Sequence, residues 1–170
     1  MMQRVAWFLV LAALVAPVAA LGAPPGGDIP DNQVFLAFHN RSAGYTIRYP
    51  EGWARRGGGA QITFTDKDNT IRIAVSKGKL PSAAAARSQL HGAKISGGPT
   101  RLTLPGGPAL KVSYQRQSAP NPVTGKRATL MIDRYYVAGH GRLAVLDLGT
   151  PVGVDNVDAY RLISRSFRWR

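Results

Sequence analysis

The sequence predicts an α/β domain with a central, mainly antiparallel sheet and helices on both faces. Three observations carry this expectation. Several segments between Gly44 and Leu148 alternate apolar with polar residues at the period of two that a half-buried strand shows. Helix starts with capping residues stand at Ser82 and Asp155. The last strand pair is apolar on both sides, with Leu130, Ile132 and Tyr136 on one face and Met131, Tyr135 and Val137 on the other, so both faces need cover. A chain of 170 residues can bury such a core without cross-links. With no Cys, disulfides, thiolate metal sites and cysteine nucleophiles are excluded.

The elements follow in order. Arg4 precedes an apolar run over Val5–Val15, Pro17 breaks that run, and Val18-Ala19-Ala20 supplies small residues, which together read as a signal peptide over 1–20 cut after Ala20. The other reading of the same stretch is a retained membrane anchor over Val5–Ala23. Residues 21–33 read as a flexible segment and 34–170 as the domain, which is expected to be secreted or periplasmic. Val34–Phe38 and Gly44–Pro50 are strands, and Pro50 ends the second because it has no N–H for a ladder. Gly57-Gly58-Gly59 belongs to a loop from Trp53 to Gly59. Gln61–Thr65 and Thr70–Ser76 form a hairpin around the turn residues Asp66-Lys67-Asp68-Asn69. Ser82 caps a short alanine helix that Gly92 stops.

Strands resume at Arg101–Leu104 and Ala109–Gln117, then at Ala128–Ala138 and Leu143–Gly149 around Gly139-His140-Gly141-Arg142. Pairing Ala138 with Leu143 sets Arg134 opposite Asp147 and Tyr136 opposite Val145, which places an ion pair inside the sheet. Asp155 caps a second helix with Asp158 in its first turn and a stripe of Ala159, Leu162, Ile163 and Phe167. Phe167-Arg168-Trp169-Arg170 alternates as an edge strand would.

The chemistry-bearing residues point to no enzyme. His39, His91 and His140 have no metal-ligand spacing, so no metal or cofactor is expected. There is no Gly-x-Ser-x-Gly elbow, and His140 reads as a solvated turn histidine. Glu51 is the sole glutamate, and no carboxylate pair stands ready for glycoside chemistry. Asp66–Asn69 lacks the Gly and the closing Glu of a calcium loop. Asn40-Arg41-Ser42 has the form of a glycosylation acceptor. An unrecognised hydrolase site would need a deep pocket joining two of His39, His91, His140, Asp133 and Asp147.

The chain carries a formal charge of +13, and loss of Arg4 would leave +12. Such a surface attracts anionic polymers and lipids, yet the basic residues arrive singly or in pairs and do not interleave with aromatics, so no nucleic-acid partner is expected. The candidate contact is Trp53, Arg55 and Arg56, an aromatic with two arginines on a loop; the competing reading packs Trp53 into the core.

Gly44-Tyr45-Thr46-Ile47-Arg48-Tyr49-Pro50-Glu51-Gly52-Trp53 resembles the opening signature of PsbP-like proteins. Tyr135-Tyr136-Val137, the Gly139–Gly141 turn, Leu143–Leu148, Thr150-Pro151 and a helix ending in Ser166-Phe167-Arg168 resemble that family's closing hairpin and terminal helix. The resemblance implies an α/β/α sandwich, with Tyr49, Pro50 and Trp53 as packing and turn residues. The family includes extrinsic photosystem subunits, bacterial envelope proteins and a nuclear-transport relative, so it implies an accessory or binding domain and names no ligand. The expected partner is an envelope protein or membrane component met by a monomer, with an anionic glycan or lipid as the alternative.

Overall fold

A computed structural model describes residues 27–121 and 123–170; the expected signal peptide and its cut after Ala20 lie outside the described residues. In chain order the elements are β1 (Phe35–Asn40), β2 (Tyr45–Pro50), β3 (Ala54–Gly58), β4 (Gln61–Asp66), β5 (Asn69–Lys77), α1 (Ala83–Ser88), β6 (Lys94–Leu104), β7 (Gly107–Gln117), β8 (Thr129–Gly139), β9 (Arg142–Pro151), α2 (Val157–Ser166) and β10 (Arg168–Trp169). They form a seven-stranded sheet, ordered β3-β4-β5-β9-β8-β7-β6, and a three-stranded sheet, ordered β1-β2-β10. Every pairing described is antiparallel. The second sheet was not expected. It arises because β2 pairs with β1 and with the chain end instead of joining the large sheet.

The β8–β9 hairpin adopts the register read from the sequence, with Ala138 opposite Leu143, Arg134 opposite Asp147 and Tyr136 opposite Val145. Its two-residue loop, His140-Gly141, has φ of 52° and 70°, the left-handed pair that matches strand twist in a tight hairpin. Alternation along β8 sends its side chains into two core clusters. Tyr135 and Val137 join Ile71, Ile73, Leu146 and Leu148 together with β2 (Tyr45, Ile47) and α2 (Tyr160, Ile163). Leu130, Ile132 and Tyr136 join Leu110, Val112 and Tyr114 together with Ala86 and Leu90 from the α1 region.

Four local expectations need correction. Ala54–Gly58 is an edge strand and not a loop: an edge needs only one neighbour, and the backbone at Gly57 (φ 85°) leaves no room for a Cβ, which would meet the Gln61 carbonyl oxygen at 2.7 Å. β6 starts at Lys94, seven residues before the expected Arg101, because register shifts at Ile95/Gly97 and Gly97/Thr100 carry Gly97-Gly98-Pro99 within the strand. In α2 the inward residues are Tyr160 and Ile163, followed by Phe167, whereas Leu162 is exposed; the sheet sees the 160, 163, 167 row of the helix. Asp155 stands one place before the N-cap, which is Asn156; Asp155 Oδ1 accepts from Val157 N at 3.2 Å.

The Asn156 side chain is engaged elsewhere. Its Oδ1 accepts from Ile29 N at 2.8 Å, and its Nδ2 donates to Gly27 O at 3.0 Å, to Thr150 Oγ1 at 2.9 Å and to Asn69 Oδ1 at 3.2 Å. Buried amides must be paired, and this group pairs by tying the Gly27–Ile29 backbone to β5, β9 and α2. Among the described residues, ordered contacts thus reach back to Gly27, ahead of Val34.

Candidate functional site

The candidate contact residues separate once placed. Gly52, at φ 86°, reverses the chain after β2, and Trp53 then enters the larger core cluster at 8% exposure. Trp53 therefore offers no face to a partner, which corrects the expectation that it contributes to a surface contact. Arg55 and Arg56 are exposed on β3, and the Arg55 guanidinium sits 5.5 Å from the Phe38 ring centroid. Asn40 is buried and donates through Nδ2 to Gly59 O at 2.8 Å, so the amide that a glycan would modify is part of the fold.

The titratable groups also lie apart. His39 is on β1, His91 follows α1 within 3.3 Å of Ser88 Oγ, and His140 is the exposed tip of the β8–β9 hairpin. Asp133 meets Lys111 Nζ at 2.7 Å and accepts from Ser113 Oγ at 2.5 Å. Burial pulls the Lys111 ammonium down, but its hydrogen bond and charge contact with Asp133 outweigh burial and leave its pKa raised. Asp147 takes a bidentate pair from Arg134 at 2.6 and 2.7 Å. Burial disfavours the Arg134 cation too, and the Asp147 carboxylate again wins. None of the five described clefts joins two of the three histidines and two aspartates. Among the described residues no three His, Asp or Glu side chains gather as a metal site.

What the fold does assemble is a basic groove of about 450 Å³ between the three-stranded sheet and the end of α2. Strand pairing sets His39 opposite Thr46 and Thr46 opposite Arg168, while Ala37 faces Arg48 in the neighbouring row. Tyr45 and Ile47 point inward, so this row lies on the sheet's other, outward face. Leu162 and Arg165 of α2 form the wall. Ser166 fixes the wall to the floor: its Oγ accepts from Arg48 N at 2.8 Å and donates to Ile163 O at 2.6 Å. Arg168 Nη1 donates to the carbonyls of Arg165 and Phe167 at 2.7 and 2.8 Å. An adjoining hollow adds Arg41 and Arg170 on the far side of His39.

No Asp or Glu side chain lines either hollow, and none of the ion pairs among the described residues uses these arginines. A clasp holds the chain end in place. Arg142 donates to Ala43 O at 2.8 Å and to Arg170 O at 2.9 Å, and its guanidinium lies 4.6 Å from the Trp169 ring centroid. Sequence reading missed this groove because β2, α2 and β10 each supply one of its arginines and β1 supplies its histidine. The only local hint was Arg165 and Arg168, three residues apart across a helix end.

No family model and no curated protein matches the sequence. Solved structures do match. Cyanobacterial PsbP (CyanoP) from Synechocystis sp. PCC 6803 is similar over 88% of this chain and 99% of that one, with 16% identity and a TM-score of 0.55. The Ran-binding protein Mog1p of Saccharomyces cerevisiae is similar over 81% of this chain and 96% of that one, with 10% identity and a TM-score of 0.53. A protein of Bacteroides thetaiotaomicron is similar over 79% of this chain with 13% identity and a TM-score of 0.50; the match spans about half of its length, 48%. These proteins share an architecture at low sequence identity, and the chain has the PsbP-like fold.

Proposed function

We propose that this chain is an exported, nonenzymatic accessory or binding domain, a PsbP-like α/β/α sandwich that acts through its surface on an envelope or membrane component. Support for the layered reading comes from the two core clusters, one holding α2 and β2 side chains and the other holding Ala86 and Leu90. The observation that carries the function is the groove rimmed by His39, Arg48, Arg165 and Arg168 without a carboxylate. Unpaired cations on one rim raise the local concentration of anionic partners over roughly a Debye length, ~8 to 10 Å. The export reading rests on Arg4, Val5–Val15 and Val18-Ala19-Ala20.

The test is retention of envelope proteins by immobilised protein starting at Gly27, compared with an Arg48→Glu/Arg168→Glu variant. A component retained by the first and lost by the second is expected; identical retention by both would remove the groove from the account. The second reading is an adhesion module for anionic glycans or lipids, favoured by the same absence of carboxylates. It predicts binding to heparin beads or acidic liposomes that falls steeply with salt, and no binding at low salt ends it.

A further inference from the structure

The second core cluster leaves a separate cleft of about 440 Å³ beneath the turn that follows α1. Its floor is Tyr114, which is 1% exposed, and the Tyr114 hydroxyl has no hydrogen-bond partner. A buried phenol O–H without a partner is unusual, since buried polar groups are nearly always satisfied. Its surroundings show why it finds none. The charged side chains that act on it are Asp147, Arg134 and Arg116, with the Arg134 guanidinium 5.4 Å from the Tyr114 ring centroid. Guanidinium groups carry donors only, and both Asp147 oxygens are engaged by Arg134, so the phenol proton is left without a partner. An oxyanion would accept from the phenol and from the arginines together.

Charge selects among oxyanions. Arg134 is neutralised by Asp147. Arg116 and Arg127 also line the cleft and have no carboxylate partner among the described residues, and Arg127 is positioned by an Nη1 bond of 2.7 Å to Ser118 O. Two uncompensated cations suit a phosphate monoester, whose charge is about −1.5 to −2 near neutrality, better than a single carboxylate. The cleft is also larger than a phosphate group alone and has Leu90 along its lining, which leaves room for the organic part of an ester.

We propose that Tyr114, Arg116 and Arg127 form a binding site for a phosphate monoester, with Arg134 held beside it by Asp147. The site lies apart from the groove on the three-stranded sheet and does not depend on that groove's role.

The experiment titrates the protein with glycerol phosphate by calorimetry and, in a parallel arm, measures its sedimentation with vesicles of phosphatidylcholine containing phosphatidic acid. Variants are Tyr114→Phe, Arg116→Gln and, as a control for charge alone, Arg55→Gln. Binding that falls about tenfold or more in each of the first two variants is expected, since hydrogen bonds to charged groups are worth that much or more. The control should change it less than about twofold. Binding in the first arm identifies a soluble ester and binding only in the second a lipid headgroup. Absence of binding in both arms, or Tyr114→Phe binding as tightly as wild type, overturns the proposal. So does a Tyr114→Phe protein that melts earlier than wild type in phosphate-free buffer, because the hydroxyl would then already have a partner within the fold.

Discussion

The two core clusters differ in kind. The one containing α2 and β2 gathers nineteen buried side chains, nearly all apolar, and draws on both sheets. The one containing Ala86 and Leu90 gathers eight and borders a buried ion pair, an unpartnered phenol and an open cleft. The comparison teaches that the larger cluster carries most of the apolar cohesion of the domain, while the smaller one sits against an ion pair and an open cleft. α1 is only six residues long and buries a single alanine, so it cannot cover its side of the sheet as α2 and β2 cover theirs.

Truncation should expose that difference. Leu146→Ala, in the larger cluster at 0% exposure, is expected to cost about 4 to 5 kcal/mol, against about 2 for Leu90→Ala, where the thin layer can settle into the gap. Equal losses in urea denaturation would erase the contrast. Asp147→Ala leaves Arg134 charged, largely buried and unpaired, and should cost about 3 kcal/mol, the lower end of the range because water still reaches the pair. An Arg134→Met/Asp147→Leu double variant should recover most of that loss, and failure to do so would make the pair itself stabilising.

Gly139 tests how tightly the chain end is packed. A Cβ there would meet Trp169 at 2.3 Å, so Gly139→Ala should displace β10 and cost about 2 kcal/mol, read as loss of amide protection at Tyr45 and Thr46. Ser82→Ala removes the oxygen that accepts from Ala85 N at 3.1 Å and should cost about 1 kcal/mol, with the change confined to α1. Alkaline pH acts on both clusters. Burial raises the pKa of Tyr45, Tyr114 and Tyr160, and the Asp133 contact raises that of Lys111. These groups hold their protons more firmly folded than unfolded, so stability is full below their ordinary values near pH 10 and declines as pH climbs through the raised ones. Ultraviolet titration should show these three tyrosines ionising only as the protein unfolds; free titration of all six would contradict their burial.

Legibility followed the range of each interaction. The β8–β9 register could be read because a tight Gly-bearing turn fixes it and alternation does the rest. The Asp66–Asn69 turn and the Ser82 cap were readable for the same local reason. Asn156 looked like an ordinary residue beside a helix start, and its buried role depends on Gly27 and Asn69, which are distant in sequence. Trp53 was ambiguous because burial of an aromatic after a turn is decided by what lies beneath it, here the larger cluster. Arg48, Arg165 and Arg168 gave no joint signal, since antiparallel pairing of the chain end with β2 is what brings them to one face.

The salt link across the β8–β9 hairpin has a consequence for how the protein reaches its shape. A displacement of either strand by a single residue would turn Arg134 and Asp147 toward opposite sides of the ribbon and strand each charge among aliphatic neighbours. Hydrophobic side chains alone tolerate such slippage when a sheet is greasy above and below. The charged couple does not, and it acts as a key cut for one alignment of two neighbouring strands in the middle of the seven-stranded sheet.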